Sequence, residues 1–235
     1  MKLKVIYFIF LLCYIISIFS IYYFVYNNEI KIGDNDMDNK INELDDLYKY
    51  KIKVYYPVTR YRIMDMKIKN IIFKYINEFK SMVNVDDKRY NYYSLDINYD
   101  KYMYKNYISY VFYIETYFGG AHPDHTIITV NYNISLNKII DIDNLIDNEP
   151  NLLEDLSRLS REKLLSDEKF SLNDYVEDFF LEGTKPVRDN YINFVFTDSG
   201  IKILFDYYQI APYYYGDSEI IIPYKDIGLD IEKIT

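Results

Sequence analysis

The sequence predicts an α+β fold: an antiparallel sheet packed with two to three helices, carried behind an N-terminal transmembrane helix. Three observations predict it. A long uncharged run follows two lysines at the start of the chain. Segments rich in Tyr, Ile and Val then alternate in the manner of strands. Between them, apolar residues recur at helical spacing.

The first element is "MKLKVIYFIFLLCYIISIFSIYYFVY". Residues 1–4 read as a cytoplasmic stub. Val5–Tyr26 is 22 residues without a charge, enough to cross a hydrocarbon core of about 30 Å as a helix. Lys2 and Lys4 favour the cytoplasmic side, which sends everything after Tyr26 outside. Tyr22, Tyr23 and Tyr26 fall where aromatic residues gather at a membrane interface. A cleaved signal would need a shorter apolar stretch and a small-residue site; "SIFS" at 17–20 is poor, so an uncleaved anchor is the expectation. The single cysteine, Cys13, sits within this run as an apolar helix residue, since Leu11 and Leu12 do not make a lipoprotein site. The outer domain then has no disulfide and depends on its core.

Residues 27–49 are acidic and turn-rich and read as a polar stalk, with a short helix over Lys40–Tyr48 as an option. "KYKIKVYYP" alternates as a strand ending at Pro57. "MKIKNIIFKYINEFKSMV" sets Ile68, Ile71, Ile72, Tyr75, Ile76 and Phe79 on one helical face. "YNYYSLDINYD" and "NYISYVFYIETYF" are Tyr-rich strands able to pair, "TIITVNYNIS" is another, and "KIIDIDNLI" is a short strand leading into a turn. "PNLLEDLSRLSREKLL" is an amphipathic helix, and "NDYVEDFFLEGT" a second with Gly183 as its stop. "YINFVFTDSGIKILFDYYQIAPY" is a hairpin turning at Asp198–Gly200, and "SEIIIPY" closes the domain. No internal repeat is visible. A boundary near residues 86–90 divides the soluble part into 50–89 and 90–235, each small for a core of its own, so the two are expected to pack as one unit.

Composition excludes one class of partner. The chain has 36 acids against 27 bases, a net charge of -9, and no compact basic cluster; a phosphate backbone rewards the opposite balance. The 30 tyrosines suggest binding, but Ile, Lys and Asn are abundant too and Trp is absent. A/T-rich codons explain the number of tyrosines; their placement carries the information.

Two stretches together carry a resemblance. "YFGGAHPDHTIITVNYNI" and, much later, "FDYYQIAPYYYGDSEIIIPY" resemble the extracellular domain family shared by the anti-sigma factor RsiV and the peptidoglycan deacetylase PdaC. "VYYPVTRYRIMDMKIKNIIFKYINEF" looks like the segment that precedes that module, so the likeness spans residues 50–226. The family's RsiV branch carries a sigma-binding segment before its membrane helix, where this sequence shows only "MKLK". Its PdaC branch continues into a deacetylase domain, whereas this sequence ends at Thr235. The resemblance therefore implies the outer module alone on an anchor.

His122 and His125 flank Asp124 in "HPDH", a set that resembles metal ligands. A catalytic metal site needs a third ligand and an acid or base, and deacetylases similar to PdaC use more histidines at another spacing. With two histidines in the chain, no metal and no cofactor is expected. Ser199 or Ser218 with His122 lacks a nucleophile elbow, and the many acids offer carboxylate pairs without a distinguishing signal. No catalytic residue is assigned and an enzyme is not expected.

Structurally, Gly119 and Gly120 permit a sharp end to the preceding strand, and His122 before Pro123 is held extended. The candidates for contact with a ligand or partner are Tyr117, Gly119, Gly120 and His122 in the first motif. In the second they are Tyr207, Tyr208, Gln209, Pro212 and Tyr213, where rigid aromatic area suits proteins and sugars. The expectation is a non-catalytic, sensor-like recognition module outside the cell membrane, whose partner the resemblance implies to be lysozyme or peptidoglycan. The alternatives are an accessory part of a wall-glycan deacetylase system and a structural envelope protein with no soluble ligand.

Overall fold

A computed structural model of the chain describes residues 37–45, 50–83, 93–166, 170 and 174–234. The expected anchor at 5–26 and the boundary near 86–90 lie outside these residues. Among the described residues no helix is long and apolar enough to cross a membrane.

The first layer grows from strand, helix and strand. In β2 (Tyr50–Val58) the alternating positions Tyr50, Ile52, Val54 and Tyr56 are buried. Helix α1 (Arg62–Met82) follows, and its start is fixed from outside. The Asp65 carboxylate accepts from Thr59 N and Thr59 Oγ1, both at 2.8 Å, and Thr59 Oγ1 accepts from Tyr61 N at 3.0 Å. The helix buries Met64, Ile68, Ile72, Ile76 and Phe79, one stripe at steps of three and four. Having crossed the sheet along α1, the chain enters β3 (Tyr93–Tyr104) in the same sense as β2, and the two pair in parallel from Tyr50↔Tyr93 to Val54↔Ile97. A helical crossover between neighbouring strands permits this where a hairpin does not. The sheet is therefore mixed, not antiparallel as its sequence suggested.

β4 (Tyr107–Tyr117), β5 (Asp124–Asn133) and β6 (Lys138–Ile140) continue as an antiparallel meander. Met37–Asp45 corrects a second expectation: it is neither stalk nor helix but strand β1, at the edge of the six-stranded sheet in the order β1-β2-β3-β4-β5-β6. Ile41 packs against the core beneath the sheet, and Glu43 receives Lys80 at the far end of α1 and the Tyr50 hydroxyl. These long-range contacts override a local sequence with little apolar periodicity.

The second sheet, β7 (Phe194–Phe196), β8 (Ile201–Phe205) and β9 (Ser218–Ile222), is antiparallel. Its first hairpin turns at Asp198–Gly200, where Gly200 has φ 148 and a Cβ would meet the Ile222 carbonyl oxygen at 2.2 Å. Four α-helices are found among the described residues, more than the two to three expected, because "DIDNLIDN" is helical. This helix, α2 (Ile142–Asn148), starts with a capping box: Asp141 accepts from Asp143 N and Asn144 N, and the Asn144 side chain accepts from Asp141 N. It is followed by α3 (Leu152–Leu165) and α4 (Asp174–Gly183).

Three apolar clusters order the layers. α1 and the inner face of the large sheet share one. Val111 and Ile127 meet Val195 and Leu204 in a thin one between the sheets. The other face of the small sheet, with Phe194, Phe196, Ile203 and Phe205, packs under Leu156, Val176 and Phe180 from the helices. The sheets are joined by polar contacts as well. β6 covers β5 only at Asn131–Asn133, and the Asn193 and Asp206 side chains satisfy the remaining edge: Ile127 N donates to Asp206 Oδ2 at 3.0 Å, Thr129 N to Asn193 Oδ1 at 3.2 Å, and Asn193 Nδ2 to Ile127 O at 2.9 Å.

Candidate functional site

The two motifs meet in space. The turn between β4 and β5 carries His122, the start of β5 carries His125, and the chain between β8 and β9 carries Tyr207, Tyr208 and Tyr213. His122 stacks on Tyr213 with centroids 3.7 Å apart and planes 16° apart. His125 stacks on Tyr207 at 4.3 Å and 14°. Tyr213 lies between the histidines, its hydroxyl 3.1 Å from His125 Nε2. Five rings thus clasp two loops that are far apart in sequence.

Each loop is shaped locally for this role. Gly119 and Gly120 take φ 85 and 138, which an L side chain rarely adopts, and the Tyr117 hydroxyl donates to Gly120 O at 3.2 Å. The glycine turn expected from the sequence is present. On the other side, Gln209 N donates to Asp206 O at 3.1 Å and Asp206 N to Gln209 Oε1 at 3.0 Å. This tight turn holds Tyr208 at φ 62, a left-handed conformation in a non-glycine residue. Asp206 also accepts from Tyr207 N at 2.8 Å. Burial pushes its carboxyl above the ordinary aspartate range, more than its two backbone donors pull it down.

The histidines are committed to tyrosines and backbone. His122 Nδ1 lies 2.9 Å from Pro123 O, which can only accept, so this nitrogen carries the proton. In the neutral ring Nε2 then accepts from the Tyr208 hydroxyl at 3.3 Å. His125 Nδ1 lies 3.8 Å from Glu115 Oε2. Among the described residues no three His, Cys, Asp or Glu side chains are placed to hold a metal ion.

A small cleft of about 160 Å³ adjoins the clasp, lined among others by Asp96, Asn98, Glu115, His125, Tyr207 and Asp217. Strand register builds its floor: Asp96↔Glu115 and Glu115↔His125 are direct cross-strand neighbours, as are Asn98↔Tyr113 and Tyr113↔Ile127. Tyr207 forms a wall, its phenol raised above the ordinary tyrosine range by burial and then by Asp217 and neighbouring groups. Beyond Asp96 the same face continues to its register partner Lys53 and to Lys51, Lys40 and Tyr55, around an open groove of about 850 Å³. The arrangement offers flat rings beside hydrogen-bond donors and acceptors.

The sequence-derived candidates divide here. His122, Tyr207, Tyr208 and Tyr213 come together in the clasp, and Tyr117, Gly119 and Gly120 shape its turn. Gln209 faces inward: its Nε2 donates to Gly183 O at 3.2 Å and Asn190 O at 3.0 Å. Pro212 is buried. Gly183 ends its helix as expected, and close approach constrains it further, for a Cβ there would lie 1.9 Å from the Gln209 carbonyl oxygen. Missed by sequence reasoning were His125, treated only as a metal candidate, and Asp96, Glu115, Asp206 and Asp217. Alternation along β4 puts Glu115 on the face of Tyr113 and Tyr117, which is a usable signal. For Asp217 there was none.

Residues 143–225 match the family described as "Protein of unknown function (DUF3298)". The chain is 27% identical over 187 residues to the peptidoglycan-N-acetylmuramic acid deacetylase PdaC of Bacillus subtilis, a match covering 78% of this chain and 39% of that protein. Among solved structures, a DUF3298-family protein of Bacteroides fragilis is similar at TM-score 0.56 and 21% identity, covering 81% of this chain and 90% of that one. One from Pseudomonas aeruginosa is similar at TM-score 0.53 and 12% identity, covering 83% and 94%. The chain carries a DUF3298 domain related to PdaC, and the matched region spans well under half of that relative.

Proposed function

We propose that this chain, with its DUF3298 domain, is a non-catalytic recognition module of the bacterial cell envelope. It is held at the membrane with the folded domain outside the cytoplasm and takes peptidoglycan at the clasp and cleft. The observation that carries this reading is the juxtaposition of Tyr207, Tyr208 and Tyr213 with Asp96, Asn98 and Glu115. Flat aromatic faces stack on sugar rings, and the side-chain amide and carboxylates suit hydroxyl and acetamido groups. The name of the relative adds support, since PdaC is a peptidoglycan deacetylase. Its deacetylation is not carried over, because both histidines here are engaged by tyrosine rings and hydroxyls.

A second reading is favoured by charge. Asp96, Glu115 and Asp217 around the cleft, in a chain of net charge -9, suit a cationic wall-directed protein such as lysozyme. Co-sedimentation of the full chain with insoluble peptidoglycan, beside a pull-down with lysozyme, separates the two. Wall binding lost on Tyr213→Ala supports the first reading and lysozyme capture the second. Binding of neither overturns the recognition role and leaves a structural envelope protein. Deacetylation of wall glycan by the chain would overturn the non-catalytic assignment.

A further inference from the structure

Helix α1 presents a second surface, on the face of the large sheet opposite the small sheet. Its inward stripe is fully used by the core. Its outward side is unusual for an acidic protein. Ile63, Met66 and Phe73 stand 43%, 54% and 46% exposed, and at 100° per residue they fall within an arc of about 80° whose other members, Asn70, Asn77 and Ser81, are uncharged. Cations flank that arc on both sides: Lys67 and Lys74 on one, Arg62, Lys69 and Lys80 on the other, all exposed.

The charge of α1 opposes that of the rest of the chain. Arg62, Lys67, Lys69, Lys74 and Lys80 against Asp65 and Glu78 give this helix a net charge of +3 in a chain of net -9. Asp65 is engaged by Thr59. Lys74 pairs with Glu78 at 3.8 Å and Lys80 with Glu43 at 2.7 Å. Arg62, Lys67 and Lys69 have no ion pair among the described residues.

We infer that this face of α1 docks on an anionic lipid surface. Apolar side chains enter the acyl boundary while flanking lysine stems lie along it and keep their ammonium groups among the headgroups. Anionic lipid rewards each nearby cation. Three apolar residues are far fewer than the roughly 20–30 residues per side of a standard protein interface. A purely anionic wall polymer would leave the exposed Ile63, Met66 and Phe73 without a role. The inference is independent of the clasp, and the anchor reading of residues 5–26 brings a bilayer within reach of the fold.

The test uses the full chain with Cys13→Ser and one new cysteine, Phe73→Cys, carrying an environment-sensitive fluorophore. It is reconstituted into phosphatidylcholine vesicles with or without phosphatidylglycerol. Carbonate extraction reports insertion of the N-terminal segment, so a failed anchor is distinguished from a failed helix contact. A label at Leu181→Cys, on α4, serves as control. The expected result is brighter emission at position 73, quenched by spin-labelled lipid only in the anionic vesicles. Lys67→Glu with Lys69→Glu, shown by circular dichroism to be folded, should reduce that quenching by roughly tenfold or more, and the control should not respond. Quenching that is absent, equal in both vesicle types or insensitive to the charge reversals overturns the inference. So does protection at position 73 without lipid quenching, which would mean that protein covers the face.

Discussion

Two ends of one strand face show how the site arises. On β4, Ser109 and Val111 and, further along, Tyr113 and Glu115 all point away from α1. The first pair is fully buried, while Tyr113 and Glu115 are only partly covered. β7 and β8 lie over the former, with Val195 and Leu204 against Val111, while Tyr113 packs at the margin of that cluster and stays partly exposed. The opposite face of the same strand shows no such gradient: Ile108, Tyr110, Phe112 and Ile114 are all buried. Alternation thus assigns a side chain to a face, but the extent of the covering layer decides whether that face is core or cleft. The cleft forms where the second sheet stops.

The largest loss is expected on the dry side. Phe112→Ala removes a fully buried ring and should cost about 3–5 kcal/mol, read from urea unfolding. Tyr113→Ala, one residue along on the wetter face, should cost less than half of that. Its hydroxyl donates to Asp100 at 3.1 Å, and burial with that carboxylate holds its phenol well above the ordinary range. Equal losses at both positions would contradict the division into core and cleft.

The next largest effect tests how the wet side is held in place. Gly183→Ala drives a methyl into the Gln209 carbonyl and should destabilise by about 1–3 kcal/mol. Because Gln209 also fixes the turn that presents Tyr207 and Tyr208, wall binding should fall along with stability. A stability loss without any change in co-sedimentation would detach the turn from the site.

Asp206 gives the turn beside the cleft a pH dependence. Its folded carboxyl titrates above the unfolded value, so the stability it contributes is full below about pH 3.9 and is lost as pH rises through the folded pKa. Asp206→Asn has no such titration and loses one acceptor, a cost of about 1–2 kcal/mol at acidic pH. The gap between wild type and variant should therefore narrow from pH 4 to pH 7 in urea unfolding. A widening gap would show the carboxylate to be the favoured form.

The smallest effect on stability is expected within the clasp. Tyr213→Phe removes the hydroxyl contact with His125 but keeps the ring on His122, and should cost about 1 kcal/mol or less. Tyr213→Ala should reduce peptidoglycan binding by roughly tenfold or more, while thermal unfolding shifts only modestly. A variant that unfolds without altering binding would mark Tyr213 as part of the scaffold.

How much of this was legible beforehand varies by residue. The buried stripe Ile68, Ile72, Ile76 and Phe79 followed from helical spacing, and the turn at Gly119–Gly120 followed from the need for positive φ. The strand Met37–Asp45 was not legible, because it is held by its neighbours β2, Tyr50 and Lys80 rather than by its own pattern. The histidines drew notice as metal candidates, but their ring partners lie in another motif. Gln209 looked like a ligand contact from residue type alone, and only its partners at Gly183 and Asn190 show it to be a brace.

Sequence alone dictated which face α1 and β2 bury, where the chain turns at Gly119, Gly120 and Gly200, and which family its two motifs resemble. These properties depend on periodicity and on backbone sterics within a few residues. Tertiary structure alone decided the parallel pairing of β2 with β3, the reach of the small sheet over the large one, and the stacking of His122 on Tyr213 and His125 on Tyr207. Each of those joins surfaces distant in sequence, and their meeting is set by packing summed over the whole core rather than by any local rule.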